Sequence, residues 1–144
     1  ADVYLEEYGV DVRELEGGGA AGGLAGGLAA VGGTLSSGFE LVAEEVALDE
    51  ALADADLVIT GEGFVDEGSF DGKVVGGVVE WASEAGVPVL VVAGEIFDRP
   101  SFEDRGVRVD GIDLVATYGR ERAVGDTATV LEQAVTEWFR AADG

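Results

Sequence analysis

Three runs of apolar residues stand out from an otherwise mixed pattern: Asp56–Thr60 (DLVIT), Val87–Ala93 (VPVLVVA) and Ile112–Thr117 (IDLVAT). Their apolar positions are consecutive rather than alternating, as in strands buried on both faces of a parallel sheet. Between the first two, Val75–Ala85 has a helical pattern closed by Gly86, so strand, loop, helix and strand make a βαβ unit. A short helical turn is expected over Ser101–Arg105, before Gly106. Asp126 is placed to cap a last helix with Val130, Leu131, Ala134, Val135, Trp138 and Phe139 along one face.

Upstream, residues 2–9 predict a short helix with Val3, Leu5 and Tyr8 on one face, broken at Gly9 and Asp11. Glu16–Gly23 then reads as a loop feeding a small-residue helix over Leu24–Val31, ended by Gly32 and Gly33. Ser37 can cap a helix carrying Phe39, Val42 and Val46, and Asp49 can start a further turn through Leu52. No fixed-period repeat, Pro/Ser-rich linker or shift in composition divides the chain, so residues 1–144 are expected to form one domain. The expected fold is α/β, a parallel, doubly wound, Rossmann-like sheet with flanking helices.

Composition narrows the chemistry. With 47% hydrophobic residues in 144, the chain can close one core of ordinary size, and its 24 glycines cluster between apolar segments without a collagen-like period. The net charge of −22, with no basic stripe, argues against a nucleic acid partner. A single lysine, Lys73, stands against seven arginines. Such a carboxylate-rich surface suits concentrated salt, where self-repulsion is screened, and equally an acidic protein of an ordinary cytoplasm. Cysteine and histidine are absent, which removes disulfides, Cys/His zinc sites and histidine bases. No apolar run approaches the roughly 18 residues that span a bilayer, so no membrane partner is expected. The start at Ala1-Asp2-Val3 has no signal-peptide pattern, and the missing initiator Met points to a trimmed or partial chain.

Three segments can carry chemistry. Thr60-Gly61-Glu62-Gly63-Phe64-Val65-Asp66 follows a predicted strand, and ligands of open α/β sheets sit beyond the carboxyl ends of strands. There Gly61 and Gly63 would allow a tight turn with exposed amides. Glu62 and Asp66 could hold a hard cation or orient an attacking hydroxyl; a solvated acidic turn is the plainer alternative. Gly72-Lys73 precedes the helix from about Val75, which puts an ammonium group beside helix N-terminal amides, a place suited to phosphate or simply a surface lysine. It is not a Walker A motif, because Glu67 stands five before Gly72 and Val74 follows Lys73. Gly17-Gly18-Gly19-Ala20-Ala21-Gly22 satisfies GxGxxG, yet the preceding Asp11–Glu16 is too charged for the buried strand of a dinucleotide fold. Its amides suit an anion, or its small residues allow close helix packing.

The combination of GGGAAGGLAGGLAAVGG with LDEALADADLVITGEGFVDEGSFDGKVVGGVVEWASEAGVPVLVVAG resembles the C-terminal half of the type I glycerate kinase family, over roughly residues 5–95 and more loosely to the end. The resemblance implies a cytoplasmic, ATP- and Mg²⁺-dependent kinase acting on glycerate, built from two α/β domains with a cleft between them. Gly17, Gly18, Gly19, Ala20, Ala21, Gly22 and Gly23 would line the substrate or phosphate site with Gly61 and Gly63. Glu62, Asp66 and Lys73 would be the polar, catalytic members, with Glu62 and Asp66 on the metal. The family's N-terminal half would be a required partner, and a homodimer is left open. Two departures stand out: Phe64 replaces the family's usual arginine after T-G-E-G, with Glu67-Gly68-Ser69-Phe70 in place of a Gln with a hydroxyl residue, and the family's N-terminal strand with its Asp-Ser-Phe-Lys-Gly-type loop is not in this sequence. They keep a second reading in view, a small-molecule-binding domain that retains the fold without turnover, and a third, a purely structural domain.

Overall fold

The computed structural model describes residues 1–70, 73–97 and 102–142. Two compact units account for them, residues 1–37 and residues 38–144.

The first unit holds helices α1 (Asp2–Tyr8) and α2 (Ala20–Ala30). Gly9 ends α1 in the left-handed conformation, φ 68°, as the sequence predicts. Val3, Leu5 and Tyr8 of the expected apolar face are exposed. The glycine run is the more informative part. Ala21, Gly22 and Gly23 have φ of 52°, 70° and 93°, so the chain turns left-handed before the regular part of α2 begins. A left-handed alanine costs roughly 1–2 kcal/mol. Gly18 and Gly26 press together: Gly26 N–H donates to the Gly18 carbonyl at 2.9 Å, and a Cβ on Gly26 would lie 2.8 Å from that oxygen. These two glycines therefore serve close backbone packing. In the preceding loop, hydrogen bonds from Arg13 hold the exposed Asp11 carboxyl down to about 2. That contact is complete above the ordinary carboxylate range and is lost only as the pH falls through about 2.

The second unit is an α/β assembly of α3 (Gly38–Glu45), α4 (Leu48–Ala53), β1 (Val58–Val65), a 3₁₀ turn over Glu67–Phe70, α5 (Val74–Ala85), β2 (Val89–Ile96), β3 (Val109–Asp113), α6 (Leu114–Tyr118), α7 (Arg120–Gly125) and α8 (Thr127–Ala142). The three described strands are parallel in the order β1-β2-β3. Because that order runs one way, no switch point arises among the described strands; of the expected doubly wound sheet they show the parallel α/β part, three strands with helices on both faces. On one face Val89, Val91 and Ala93 of β2 pack with Leu52 of α4 and Val75, Val79 and Ala82 of α5. On the other, Leu90 and Val92 pack with Leu114 of α6, Ala123 of α7 and Val130 and Ala134 of α8. Each fully buried Val or Leu contributes about 1.5–3 kcal/mol, which makes β2 the hydrophobic axis of the unit.

Several expected boundaries move. The first strand continues through Thr60-Gly61-Glu62-Gly63-Phe64-Val65 instead of ending in a turn at Thr60. The third covers Val109–Asp113, and Leu114–Thr117 is helical because Asp113 caps it. The helix at α4 begins at Leu48 with Ala47 as its cap residue, so Asp49 sits in the first turn and supplies charge to the helix dipole. In α3 only Ala43 is buried, while Val42 and Val46 are exposed; Phe39 meets Trp81 edge-on at 5.7 Å and covers Gly77, where a Cβ would lie 2.3 Å from its ring. In α8, Leu131 and Phe139 are exposed while Val130 and Ala134 are buried. Of the turn expected over Ser101–Arg105, Ser101 lies outside the described residues.

Two caps fix the ends of the layers. α5 closes in a Schellman motif: Gly86 N–H donates to Ser83 O at 3.1 Å and Val87 N–H to Ala82 O at 2.8 Å, with Val87 buried. At the carboxyl end of β3, Asp113 Oδ1 accepts from Ala116 N–H at 2.7 Å and Oδ2 from Ile96 N–H at 3.0 Å, joining α6 to the end of β2. Asp113→Ala is therefore expected to cost about 1–2 kcal/mol in urea unfolding, with Asp113→Asn recovering part of the loss. Equal stability of Asp113→Ala and the parent chain would show that neither bond matters.

Candidate functional site

Asp66 and Glu95 lie at the carboxyl ends of β1 and β2, the edge of a parallel sheet where ligands bind. Glu62 lies inside β1, paired in register with Ala93, so its side chain is fixed by a strand and not by a turn. Its Oε1 is buried without a hydrogen-bond partner. A carboxylate oxygen that has left water without gaining a donor is a group that a ligand, cation or hydroxyl would complete. Gly61 is likewise part of the ladder, in register with Val92, and neither it nor Gly63 forms the expected tight turn. Gly61 is required for a different reason: a Cβ there would lie 2.0 Å from the Val92 carbonyl oxygen. At Gly63 nothing lies within 4 Å of such a Cβ.

Asp66 follows the strand and opens the 3₁₀ turn. Its N–H donates to Ser69 Oγ at 3.1 Å, Ser69 Oγ reaches Asp66 Oδ1 at 3.3 Å, and Ser69 N–H donates to Asp66 O at 3.0 Å. Ser69 is fully buried, so this reciprocal set fixes where the Asp66 carboxylate points. Lys73 is the N-cap residue of α5, and its Nζ lies 3.9 Å from Asp66 Oδ1. The structure thus brings Asp66 and Lys73 together and ties Ser69, one of the residues departing from the family pattern, into the same turn. Gly72 lies outside the described residues. Since the Lys73 and Asp66 side chains are about half exposed, their pair contributes at most about 1 kcal/mol. Lys73→Ala is accordingly expected to leave the melting temperature nearly unchanged; a large drop would mean that the lysine is structural.

Gly17, Gly18, Gly19, Ala20, Ala21, Gly22 and Gly23 belong to the first unit, where their left-handed turn opens α2. Gly17, Gly19, Gly22 and Gly23 have no atom near the place a Cβ would take, so close packing does not demand glycine at those four positions. Positive φ does so at Gly17, Gly22 and Gly23.

Sequence reasoning missed a second charged pair at the same sheet edge. Glu95, near the end of β2, accepts from Arg120 Nη2 at 2.7 Å. Phe64, the register partner of Glu95, is exposed and meets the exposed Phe97 edge-on at 6.4 Å. The signal was present in the A-G-E-I-F continuation of the second strand, which the apolar run alone cuts off at Ala93.

Among the described residues no group of three or more acidic side chains is arranged to hold a metal ion, and no helix is long and apolar enough to cross a membrane.

Comparison with known proteins agrees with this layout. The sequence profile of the Glycerate kinase family matches residues 1–142. Glycerate 2-kinase of Escherichia coli (strain K12) is 42% identical over 117 residues, 80% of this chain and 29% of that protein. Glycerate kinase of Bacillus subtilis (strain 168) is 40% identical over 116 residues, again 80% of this chain and 29% of the relative. The crystal structure of a protein described as glycerate kinase 2 from Salmonella typhimurium LT2 superposes with a TM-score of 0.60 at 34% identity, covering 99% of this chain and 38% of that one. The chain thus spans about 30% of the length of the curated relatives it matches. A profile match along nearly the whole sequence, with the fold to go with it, establishes that the chain belongs to the glycerate kinase family.

Proposed function

We propose that this chain is the C-terminal part of an ATP-dependent kinase that phosphorylates a hydroxyl of glycerate or a related small hydroxy acid. The observation that supports the reading best is the unpartnered, buried Glu62 Oε1 of β1, a strand that leads into the Asp66–Lys73 pair. In the reaction a bond forms between the acid's hydroxyl oxygen and the γ-phosphorus of ATP, the bond to the β-phosphate oxygen breaks, and ADP leaves. The hydroxyl proton passes to a carboxylate. Glu62 would orient that hydroxyl, and Lys73 would offset negative charge that grows on the transferred group.

Mg²⁺ would need few protein ligands here. It usually takes one or two carboxylates and fills its remaining positions with water and substrate phosphates, so a closed cage of acidic residues is not required. Glu62 and Asp66 would be its protein ligands, and it would supply charge neutralisation between the phosphates. Within its own unit the glycine turn at Gly17–Gly23 would offer backbone amides to an anion such as a phosphate or carboxylate. Gly61 and Gly63 would act as permissive strand positions beside the site. Further strands from the N-terminal portion of a longer protein would complete a doubly wound sheet and the second wall of the cleft.

The test is ATP- and Mg²⁺-dependent phosphorylation of glycerate by the 144-residue chain alone and by a chimera joining it to the N-terminal portion of the Escherichia coli relative. Product from either form supports the reading. No product from a chimera shown to fold would sink it. The exposed Phe64 favours a second reading, a domain that binds these ligands without turnover; it predicts that ATP, Mg²⁺ or glycerate raises the melting temperature while no product appears.

A further inference from the structure

Glu95 meets Arg120 because the two strands change phase together. In β2, Val89, Val91 and Ala93 face α5, and Leu90 and Val92 face α8. Strict alternation would send Glu95 to the α5 side and Ile96 to the other. Instead Ile96 packs with the α5-side cluster, as does its register partner Val65. The slip falls at Gly63 and Gly94, between the paired positions Glu62–Ala93 and Phe64–Glu95, where a Cβ on Gly94 would lie 2.3 Å from the Gly63 carbonyl oxygen. Its consequence is to present an acid from the central strand to the side of the sheet covered by α6, α7 and α8. Irregularities of this kind near the ends of strands re-aim side chains and recur beside active sites.

Among the described residues Arg120 makes its one polar contact through Nη2, to Glu95, and its side chain is 69% exposed. A guanidinium carries five N–H donors in a planar fork, so donors at Nε and Nη1 remain. Arg122, two residues on, donates to Gln133 Oε1 at 2.7 Å and lies 5.5 Å from the Tyr118 ring centroid. Both arginines line one cleft of about 560 Å³. Glu121 and Asp126 border it too, which disfavours an extended polyanion and favours a compact group that a fork can bind at two points.

We infer that Arg120, oriented by Glu95, binds a compact oxyanion, the carboxylate or a phosphate of the small-molecule substrate, at the carboxyl edge of the sheet. The identity of the anion as a substrate group rests on the kinase reading; binding itself does not. The test is calorimetric titration of the 144-residue chain with d-glycerate and, separately, with inorganic phosphate, at one fixed ionic strength. The parent chain is expected to bind at least one of them. Arg120→Ala is expected to weaken that binding at least tenfold, and Arg120→Lys, which keeps the charge but loses the fork, to weaken it by less. Melting temperatures of both variants without ligand should stay close to the parent's. The anion that responds identifies its source, carboxylate or phosphate. Binding of neither anion by the parent, or affinities of both variants within twofold of the parent, overturns the inference. Should Arg120→Ala fail to fold, the Arg120→Lys comparison decides alone. Phosphoryl transfer is scored separately on the folded chimera, so anion binding through Arg120 with no transfer by that chimera would sink the kinase reading and leave this one standing.

Discussion

Gly61→Ala is expected to destabilise the second unit by about 3 kcal/mol, the upper end of ordinary overpacking, while Gly63→Ala two residues away changes stability by less than about 0.5 kcal/mol. The contrast comes from what a methyl group would meet. At Gly61 it would be driven to 2.0 Å from the Val92 carbonyl oxygen, whereas at Gly63 it would enter open space. Backbone cannot rotate aside as a flexible side chain does. Val92 is also held in place, because Leu90, Val91 and Val92 are buried between helices on both faces. Relief would require β1 to separate from β2, and these strands share the longest register of the sheet, Val58–Val65 against Val89–Ile96. Urea unfolding followed by circular dichroism measures both variants. A Gly61→Ala chain as stable as the parent would mean that the two strands do not approach as closely as described.

This result also marks what was legible in the amino-acid sequence. The consecutive apolar residues of Val87–Ala93 announced a strand covered on both faces, because such burial leaves no polar alternation. Gly86 announced the end of α5, because a left-handed cap favours glycine. The T-G-E-G segment misled, because two glycines in three residues read as a turn wherever local preference is the only guide. Here tertiary contact decides: Gly61 is in the strand to make room for its neighbour's backbone. For the same reason the pairing of Glu95 with Arg120 was out of reach. It depends on a change of strand phase that two glycines from different strands produce jointly, and on a contact across 25 positions of sequence. Asp66 and Lys73 were legible as candidates, but Ser69, which fixes the Asp66 carboxylate, looked only like a departure from the family pattern.

Glu62→Gln separates stability from function most sharply, because the two are expected to move in opposite directions. The parent carboxylate holds an oxygen that is buried and has no donor, an arrangement that costs about 1–3 kcal/mol relative to a satisfied group. Removing the negative charge with an isosteric amide relieves part of that cost, so the variant is expected to match or exceed the parent in thermal stability. Activity, in whichever form of the protein phosphorylates glycerate, is expected to fall about 10²–10³-fold, since a neutral amide can neither take the hydroxyl proton nor ligate Mg²⁺ as a carboxylate does. Strain that persists in a folded protein without serving its stability is the usual sign of a group kept for its chemistry. A purely structural glutamate predicts the reverse, a less stable variant with activity preserved. Melting curves on the 144-residue chain read the first arm and glycerate phosphorylation reads the second. Lowered stability in the one, or undiminished turnover in the other, would remove Glu62 from the proposed site.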